Sequence, residues 1–346
     1  MKNIFLSISF LALSSGLFAQ KQNYRASVVG FYNVENFFDT IDNPNINDEE
    51  FLPNSPRQYN SRIYWDKVSR LATVISQLGT DINPDGVAFL GVAEVENDTV
   101  LTDLVNSNLL KSRNLKIVHY DSPDKRGLDV GFLYNPKYFS VISSAPLFVK
   151  LPSGAKDASF TRDVLYVKGV LDGDTMHVFV NHWPSRSGGE ERSAPGRAAA
   201  AGVVKLRVDS LMAINPNSKV LIMGDLNDDP ISPSLTKVLN SKGKTKDVGP
   251  SGLYNPWVEF YKKGMGTSPY QDAWGLFDQI VISEAFLPKA QSGYFYFGAH
   301  IFNKDFLVEK LGKYRNYSKR TWSGITYNYG YSDHFAVYIT LLKKVD

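Results

Sequence analysis

Gly224-Asp225-Leu226-Asn227 and, far downstream, Ser332-Asp333-His334 set carboxylates, an amide and an imidazole directly beside apolar runs. Oxygen donors of this kind suit a hard divalent cation, and an imidazole beside a carboxylate suits proton transfer or donation to a phosphate oxygen. Such groups do chemistry only if something holds them still. Apolar runs of this length are strand-like, so the question is where along each strand the polar groups fall.

Four of them follow their runs: Asn33 after residues 28–32, Glu94 after 87–93, His182 after 178–181 and Asp225 after 220–224. Two precede theirs, Asp278 before 280–282 and His334 before 335–339. If the first four strands run one way and the last two run antiparallel to them, exits and entries meet on a single edge, which would be an active site.

Each residue also has a plainer reading. A carboxylate at Glu94 could cap a helix or pair with arginine, although closing an apolar run is costly unless it is paired or metal-bound. Glu96 competes with it, because strand alternation places both on the same side. Asp225 and Asn227 share a side by the same rule, one to hold or deprotonate water and the other to bond phosphoryl oxygens. Yet Gly-Asp-Leu-Asn-Asp-Asp-Pro is also good turn sequence. Asp278 is the natural carboxylate to orient His334. His119, His177 and His300 have no such company and read as ordinary histidines. Coincidence of six strand-end groups, rather than any one of them, favours the chemical reading.

The elements that must position these groups can be placed coarsely. Residues 39–60 are rich in Asn, Asp and Pro and read as a loop. Val68, Leu71, Ala72, Ile75 and Leu78 fall at helical spacing, with Gly79 placed to end the helix. Strands are expected at 130–134, 164–170 and 176–180, the last two joined by a turn at Asp172-Gly173-Asp174. A second helix is expected over 198–212. Many strands with two or three helices imply stacked sheets with helices outside, an α/β sandwich.

Residues 1–19 begin with Lys2, continue through an apolar core at 4–13 and reach a small residue at Ala19, which reads as a cleaved export signal. The apolar stretch is short for a membrane span. Residues 20–346 read as one domain, exported to a periplasm or the medium and expected to be monomeric with no obligate protein partner. The chain has no cysteine, so neither a lipid anchor on Cys nor a disulfide framework is available. A net charge of +3 permits anionic substrates without pointing to them. The most basic stretch, 304–320, interleaves Lys310, Lys313, Arg315, Lys319 and Arg320 with Tyr314 and Tyr317. It could track a phosphate backbone or be a solvated loop face.

Tyr32-Asn33-Val34, Glu94, Asn181-His182-Trp183-Pro184, Gly224-Asp225-Leu226-Asn227, Asp278-Gln279-Ile280 and Ser332-Asp333-His334, in that order, resemble the endonuclease/exonuclease/phosphatase superfamily. The resemblance covers nearly all of the chain after residue 19. It implies a four-layered αββα sandwich with two mixed sheets face to face, and Mg²⁺-dependent phosphoester hydrolysis, with Mn²⁺ or Ca²⁺ as substitutes. By the same resemblance Glu94 is the principal metal ligand, assisted by Asn33 and Asp333. Asp225 and Asn227 position water and phosphate, Asp278 and His334 form the base or phosphate-binding pair, and His182 stabilises the transition state or protonates the leaving group. Arg126, Arg162 and Arg186 lie near site-bearing loops and could hold phosphate oxygens or form structural ion pairs.

Nucleic acid is the expected substrate. A phospholipid head group or an inositol or sugar phosphate keeps the chemistry and changes the substrate, and residues 293–298, Gly-Tyr-Phe-Tyr-Phe-Gly, could be an apolar membrane hairpin or a core or edge strand. A non-catalytic binding protein on the same sandwich is the reading from another class, against which the completeness of the polar set speaks.

Overall fold

A computed structural model describes residues 23–152, 160–287 and 293–345. The expected export signal at residues 1–19 lies outside the described residues. Along the chain come β1 (Asn23–Phe37), α1 (Ser61–Gln77), β2 (Phe89–Val95), α2 (Asp98–Val105), β3 (Lys116–His119), β4 (Asp129–Tyr134), β5 (Phe139–Leu147), β6 (Val164–Leu171) and β7 (Asp174–His182). They are followed by α3 (Glu190–Ile214), β8 (Lys219–Asp225), β9 (Ser241–Lys242), β10 (Leu253–Tyr254), α4 (Trp257–Lys262), β11 (Ser268–Tyr270), β12 (Ala273–Gly275), β13 (Asp278–Ser283), β14 (Phe295–Phe302), β15 (Trp322–Ser323), β16 (Thr326–Tyr327) and β17 (Ala336–Val345).

Two mixed sheets carry the fold. The first has the order β14-β17-β1-β2-β4-β3 and the second β5-β6-β7-β8-β13-β10-β9. Successive residues of a strand face opposite ways, and here both faces are covered, which is why the runs are continuously apolar rather than alternating. Val28 and Tyr32 of β1 face α1, packing on Leu71 and Ile75, with α2 adding Leu101 and Leu104. Val29 and Phe31 face the other way, into the layer between the sheets, with Val178, Val180, Met223, Ile280 and Ile339. On the outer side of the second sheet, Phe179, Val220, Ile222 and Val281 meet Ala200, Val204 and Val208 of α3. The result is helix, sheet, sheet, helix: the αββα sandwich.

Strand directions are the ones the polar groups required. β1 and β2 are parallel and β17 runs antiparallel to β1, while β7 and β8 are parallel and β13 runs antiparallel to β8. Each sheet therefore brings two strand exits and one strand entry to the same edge.

Several elements differ from expectation. α3 starts at Glu190, ahead of Pro195, because buried Arg197 donates to the Glu190 carbonyl (2.9 Å) and to Ser193 Oγ (2.7 Å), supporting the first turns. α2 went unread although Asn97 caps it, accepting from the Val100 amide. Of residues 293–298, the last four form the start of edge strand β14, whose Phe295 pairs with Leu342, whereas its far end, Phe302, pairs with Ala336 beside the site edge. The aromatic segment thus lies at the opposite end of the sheet from the polar groups. Among the described residues no helix is long and apolar enough to cross a membrane.

The contact between β7 and β8 explains two of the motif residues. Asn181 pairs with Gly224, donates to the Met223 carbonyl (3.0 Å) and accepts from Trp183 Nε1 (3.0 Å). A Cβ at position 224 would stand 2.4 Å from the Asn181 carbonyl oxygen, so only glycine lets the strands meet here. Gly224→Ala is expected to cost about 1–3 kcal/mol of stability by overpacking, read as a lower urea midpoint at constant slope; an unchanged midpoint would show that the strands can part at no cost.

Candidate active site

Asn33, at 0 % exposure, joins the two sheets. Its side-chain amide donates to Glu94 Oε1 of the first sheet (3.1 Å) and to Asp225 Oδ2 of the second (3.0 Å). Its oxygen is already taken by the Glu35 amide (3.0 Å). Asn33 therefore turns nitrogen, not oxygen, toward the carboxylates, and in this arrangement orients them.

The backbone leaves regular strand geometry where these side chains emerge. Glu35, Asn36, Glu94 and Asn227 have φ of 52°, 48°, 65° and 49°. Left-handed backbone costs on the order of 1–3 kcal/mol for such residues, and surrounding structure must enforce it. Ladder breaks accompany it, between Asn33 and Phe37 on β1 and between Ala93 and Val95 opposite β4. These breaks separate Glu94 from Glu96, correcting the expectation that alternation puts them on one side. Glu94 stays at the site edge and accepts from the Asn36 amide (2.8 Å). Glu96 accepts from the Asp39 amide (2.6 Å), and burial pushes its carboxyl up to about 8.

Around Asp225 the remaining groups close in. His182 Nε2 lies 3.7 Å from Asp225 Oδ2 and 3.8 Å from Glu94 Oε1. His334 Nε2 lies 3.9 Å from Asp225 Oδ2 and 3.9 Å from Asp333 Oδ1. Its Nδ1 donates to Asp278 Oδ2 (2.7 Å), and its backbone is fixed by Ser332, whose hydroxyl bridges the His334 amide and the Asn33 carbonyl. Glu94, His182 and Asp225 could share one cation, as could Asp225, Asp278 and His334, since the donor atoms of each trio lie within 4.8 Å of one another. Asp333 sits further out, bonded to Arg320 (3.0 Å).

Asn227 does not simply point alongside Asp225. The chain leaves β8 at Asp225 and turns, so the Asn227 amide donates back to Asp225 Oδ1 (3.0 Å) and its side chain donates to the Trp183 carbonyl (2.9 Å). It steadies both site-bearing strand ends.

Two imidazoles separated by one carboxylate are held in opposite states. For His334, burial works against the charge but is outweighed by Asp278, with Asp225 and Asp333 adding to it, so its pKa lies well above the ordinary value. For His182, burial and then the cations Arg162 and Arg126 push the pKa well down, keeping the ring neutral. Burial, with Asp278 and Glu94 nearby, raises Asp225 to about 7, against the pull of His334.

The three arginines are placed unequally. Arg162 is buried and donates to the His182 carbonyl (3.2 Å), the Trp183 carbonyl (2.8 Å) and Asp124 (3.1 Å), so it holds the end of β7. Arg186 donates to the Asn227 carbonyl, Glu190 and Asp229, and stacks over Phe277. Arg126 alone presents a half-exposed guanidinium, 3.7 Å from Asp124.

Sequence reasoning missed a buried support beneath this edge. Glu35 accepts from the Thr321 and Trp322 amides, and Lys67 donates to Thr321 Oγ1 (2.9 Å). Lys67 is fully buried, and each of the two charges offsets part of the other's burial cost. The signal was available: Lys67 falls one helical repeat before Leu71 on the apolar stripe of α1.

A polar, carboxylate-rich edge between two packed mixed sheets, flanked by helices, is the architecture of the DNase I-like α/β sandwiches. The chain belongs to the Endonuclease/Exonuclease/phosphatase family, whose model matches residues 28–343. Among solved structures it is similar to an endonuclease/exonuclease/phosphatase family protein from Bacteroides thetaiotaomicron, at 14 % identity over 94 % of this chain and 100 % of that one, with a TM-score of 0.55. It is similar to TDP2 of D. rerio complexed with single strand DNA product, at 14 % identity, 91 % and 98 % coverage and a TM-score of 0.53. A mannosyl-6-phosphatase of Bacteroides thetaiotaomicron follows at 15 % identity, 91 % and 99 % coverage and a TM-score of 0.53. No curated protein matches. At these identities the solved structures share the fold.

Replacing Asp278 by Asn removes the carboxylate that outweighs burial at His334. The His334 pKa is expected to fall, and with it the stability that a raised imidazole pKa supplies below about pH 6.5 and loses as pH climbs through the folded value. Ring-nitrogen NMR titration checks this among only five histidines; an unmoved His334 titration would show that Asp278 does not set its charge.

Proposed function

We propose that the protein is an exported, divalent-metal-dependent phosphodiesterase that cleaves polynucleotides by attack of water on phosphorus. The observation that carries this reading is the meeting of Glu94, Asp225 and Asp278 with one charged and one neutral imidazole on a single buried edge.

The donor set fits a hard cation. Three buried or half-buried carboxylates converge, Asp225 is pushed up by burial and then by its acidic neighbours, and Asp278 Oδ1 has no hydrogen-bond partner among the described residues. Glu94 would hold Mg²⁺ as principal ligand, with Asp225 alongside, Asn33 orienting the carboxylates and Asp333 reaching the ion from further out. Bound there, the ion supplies charge neutralisation and polarisation at a phosphoryl oxygen. Asp225, poised near neutrality and anchored by Asn33 and the Asn227 amide, is suited to take a proton from water. His334, held protonated by Asp278, is suited to donate through Nε2 to a phosphoryl oxygen and not to serve as the base. His182, neutral and facing Glu94 and Asp225 through Nε2, is suited to donate a hydrogen bond to charge developing in the transition state. Arg126 would add a hydrogen bond from the rim.

A nucleic acid is favoured over a lipid because the aromatic segment 293–298 begins an edge strand remote from the site, while the basic, tyrosine-bearing connection after β14 emerges at the site edge. TDP2, similar in fold, is named with a single strand DNA product; a mannosyl-6-phosphatase on the same fold makes sugar phosphates the natural competing substrates.

The purified chain without residues 1–19 should be incubated with plasmid DNA, single-stranded DNA, RNA, sphingomyelin and sugar or inositol phosphates, with Mg²⁺, Mn²⁺, Ca²⁺ or EDTA. Metal-dependent cutting of nucleic acid is expected, falling about 10²–10⁴-fold in kcat for Asp225→Asn and abolished in Glu94→Ala, whose Mg²⁺-induced rise in melting temperature should also vanish. Turnover of only lipids or small phosphoesters would retain the chemistry and overturn the substrate. Export is read separately, by amino-terminal sequencing of the full-length chain expressed in a bacterium: a start at Gln20 is expected, and an intact Met1 would sink the export reading.

A further inference from the structure

Beside Asp333 lies a pocket of about 500 Å³, within the size range of small-molecule sites. One wall is the β11–β12 hairpin, which offers Tyr270, and the other is the connection between β14 and β17, which offers Lys313, Tyr314, Lys319 and Arg320. We propose that this pocket takes the base and sugar of one unpaired nucleotide next to the scissile phosphate, making the enzyme selective for single-stranded polynucleotides. The inference rests on the phosphodiesterase reading and names the substrate form for that site.

The ring faces are available. Tyr270 is 73 % exposed and Tyr314 is 42 % exposed. Exposed tyrosines on a soluble surface gain most by covering their faces with another flat ring, and base–aromatic stacking accepts any base. Asp272, Glu309 and Asp333 also line the pocket, but they leave the two lysines unpaired. Among the described residues, neither Lys313 nor Lys319 forms a salt bridge, and Arg320 spends one nitrogen on Asp333 while Nε and Nη1 have no protein acceptor. Lys313 Nζ stands 5.6 Å from the Tyr314 ring centroid. Stacking faces interleaved with uncommitted cations are what a single strand needs, bases against rings and phosphates against ammonium groups.

The pocket is also held in shape. Gln271 and Asp272 at the hairpin tip have φ of 48° and 62°, an unfavourable backbone for Gln. Tyr317 fixes this tip from across the pocket, donating to Asp272 Oδ1 (2.6 Å) and accepting from the Asp272 amide (2.7 Å). Tyr317 in turn sits 5.7 Å from Tyr314, ring to ring. The two walls are thus tied together before any strand arrives. Position completes the case: Asp333 lies on the pocket wall and its carboxylate is 3.9 Å from His334 Nε2, so a nucleotide seated here has its phosphate at the edge that carries His334.

Binding separates this proposal from the chemistry. A fluorescent single-stranded pentanucleotide should be titrated by anisotropy in EDTA, where no turnover occurs, against wild type, Tyr314→Ala, Tyr270→Ala, Tyr314→Phe and, as a remote control, Tyr24→Ala. Expected are a Kd about 5- to 100-fold weaker for each pocket alanine, near-wild-type binding for Tyr314→Phe and Tyr24→Ala, and weaker binding of the same sequence as a duplex. Equal Kd values for wild type and both pocket alanines, equal affinity for the duplex, or equal displacement by a sugar phosphate at the same concentration would each overturn the proposal. If the strand binds through the tyrosines and Mg²⁺ then yields no cleavage, the phosphodiesterase reading fails and the pocket stands.

Discussion

The structure depends on burying several carboxylates where two sheets meet, and on the single amide that makes this tolerable. Asn33 is the hinge pin: its two N–H bonds reach Glu94 on its own sheet and Asp225 on the other. Buried carboxylates without partners would cost several kcal/mol each. Here each gains a donor from a backbone amide as well, Glu94 from Asn36 and Asp225 from Asn227. The sandwich core brings the strand ends near each other, but this hydrogen bonding sets which atoms face which. Both sheets must be in place for the site to exist, so chain segments 299 residues apart, Asn33 and Ser332, close on one another through a hydroxyl–carbonyl bond.

What was legible in the sequence follows from this. Polar residues terminating apolar runs are costly wherever they are buried, so six of them at strand ends marked an edge without any knowledge of pairing. Strand direction followed because a single edge demands it. The alternation rule failed where the backbone departs from regular strand. Glu94 and Glu96 separate across a bulge, and Asn227 turns back on Asp225, because left-handed residues at both exits re-aim the side chains. Periodicity assumes extended geometry, and sites are where that assumption is most often broken.

The arginines show a second limit. Their proximity to site-bearing loops was readable, but not whether a guanidinium faces outward or inward. Arg162 is spent on the carbonyls that end β7, and Arg186 on the chain after β8. Lys67 was readable as an anomaly on an apolar stripe, yet its partner Thr321 lies 254 positions away and only the fold supplies it. Long-range polar partners carry no local signal. The basic, tyrosine-rich stretch was legible as composition, while its arrangement into a pocket wall required the hairpin that Tyr317 holds opposite.

The division of labour between the two imidazoles is the deepest consequence of the fold, and it is set by what each strand end carries with it. The end of β7 brings His182 together with Arg162, because the same backbone carbonyls that shape that end need a buried donor. Burial first, and then the cation beside it, keep that imidazole neutral. The start of β17 brings His334 opposite Asp278, because β13 enters the same edge antiparallel to β8. A buried anion beside an imidazole keeps it charged. Environments that drive like groups apart in pKa are how one site obtains both an acid and a neutral donor at a single pH. Asp225, equidistant within a few tenths of an ångström from both rings, has its own pKa raised toward neutrality by the same burial. The same few buried groups therefore act on all three: Asp278 lifts both His334 and Asp225, while His334 pulls Asp225 back down.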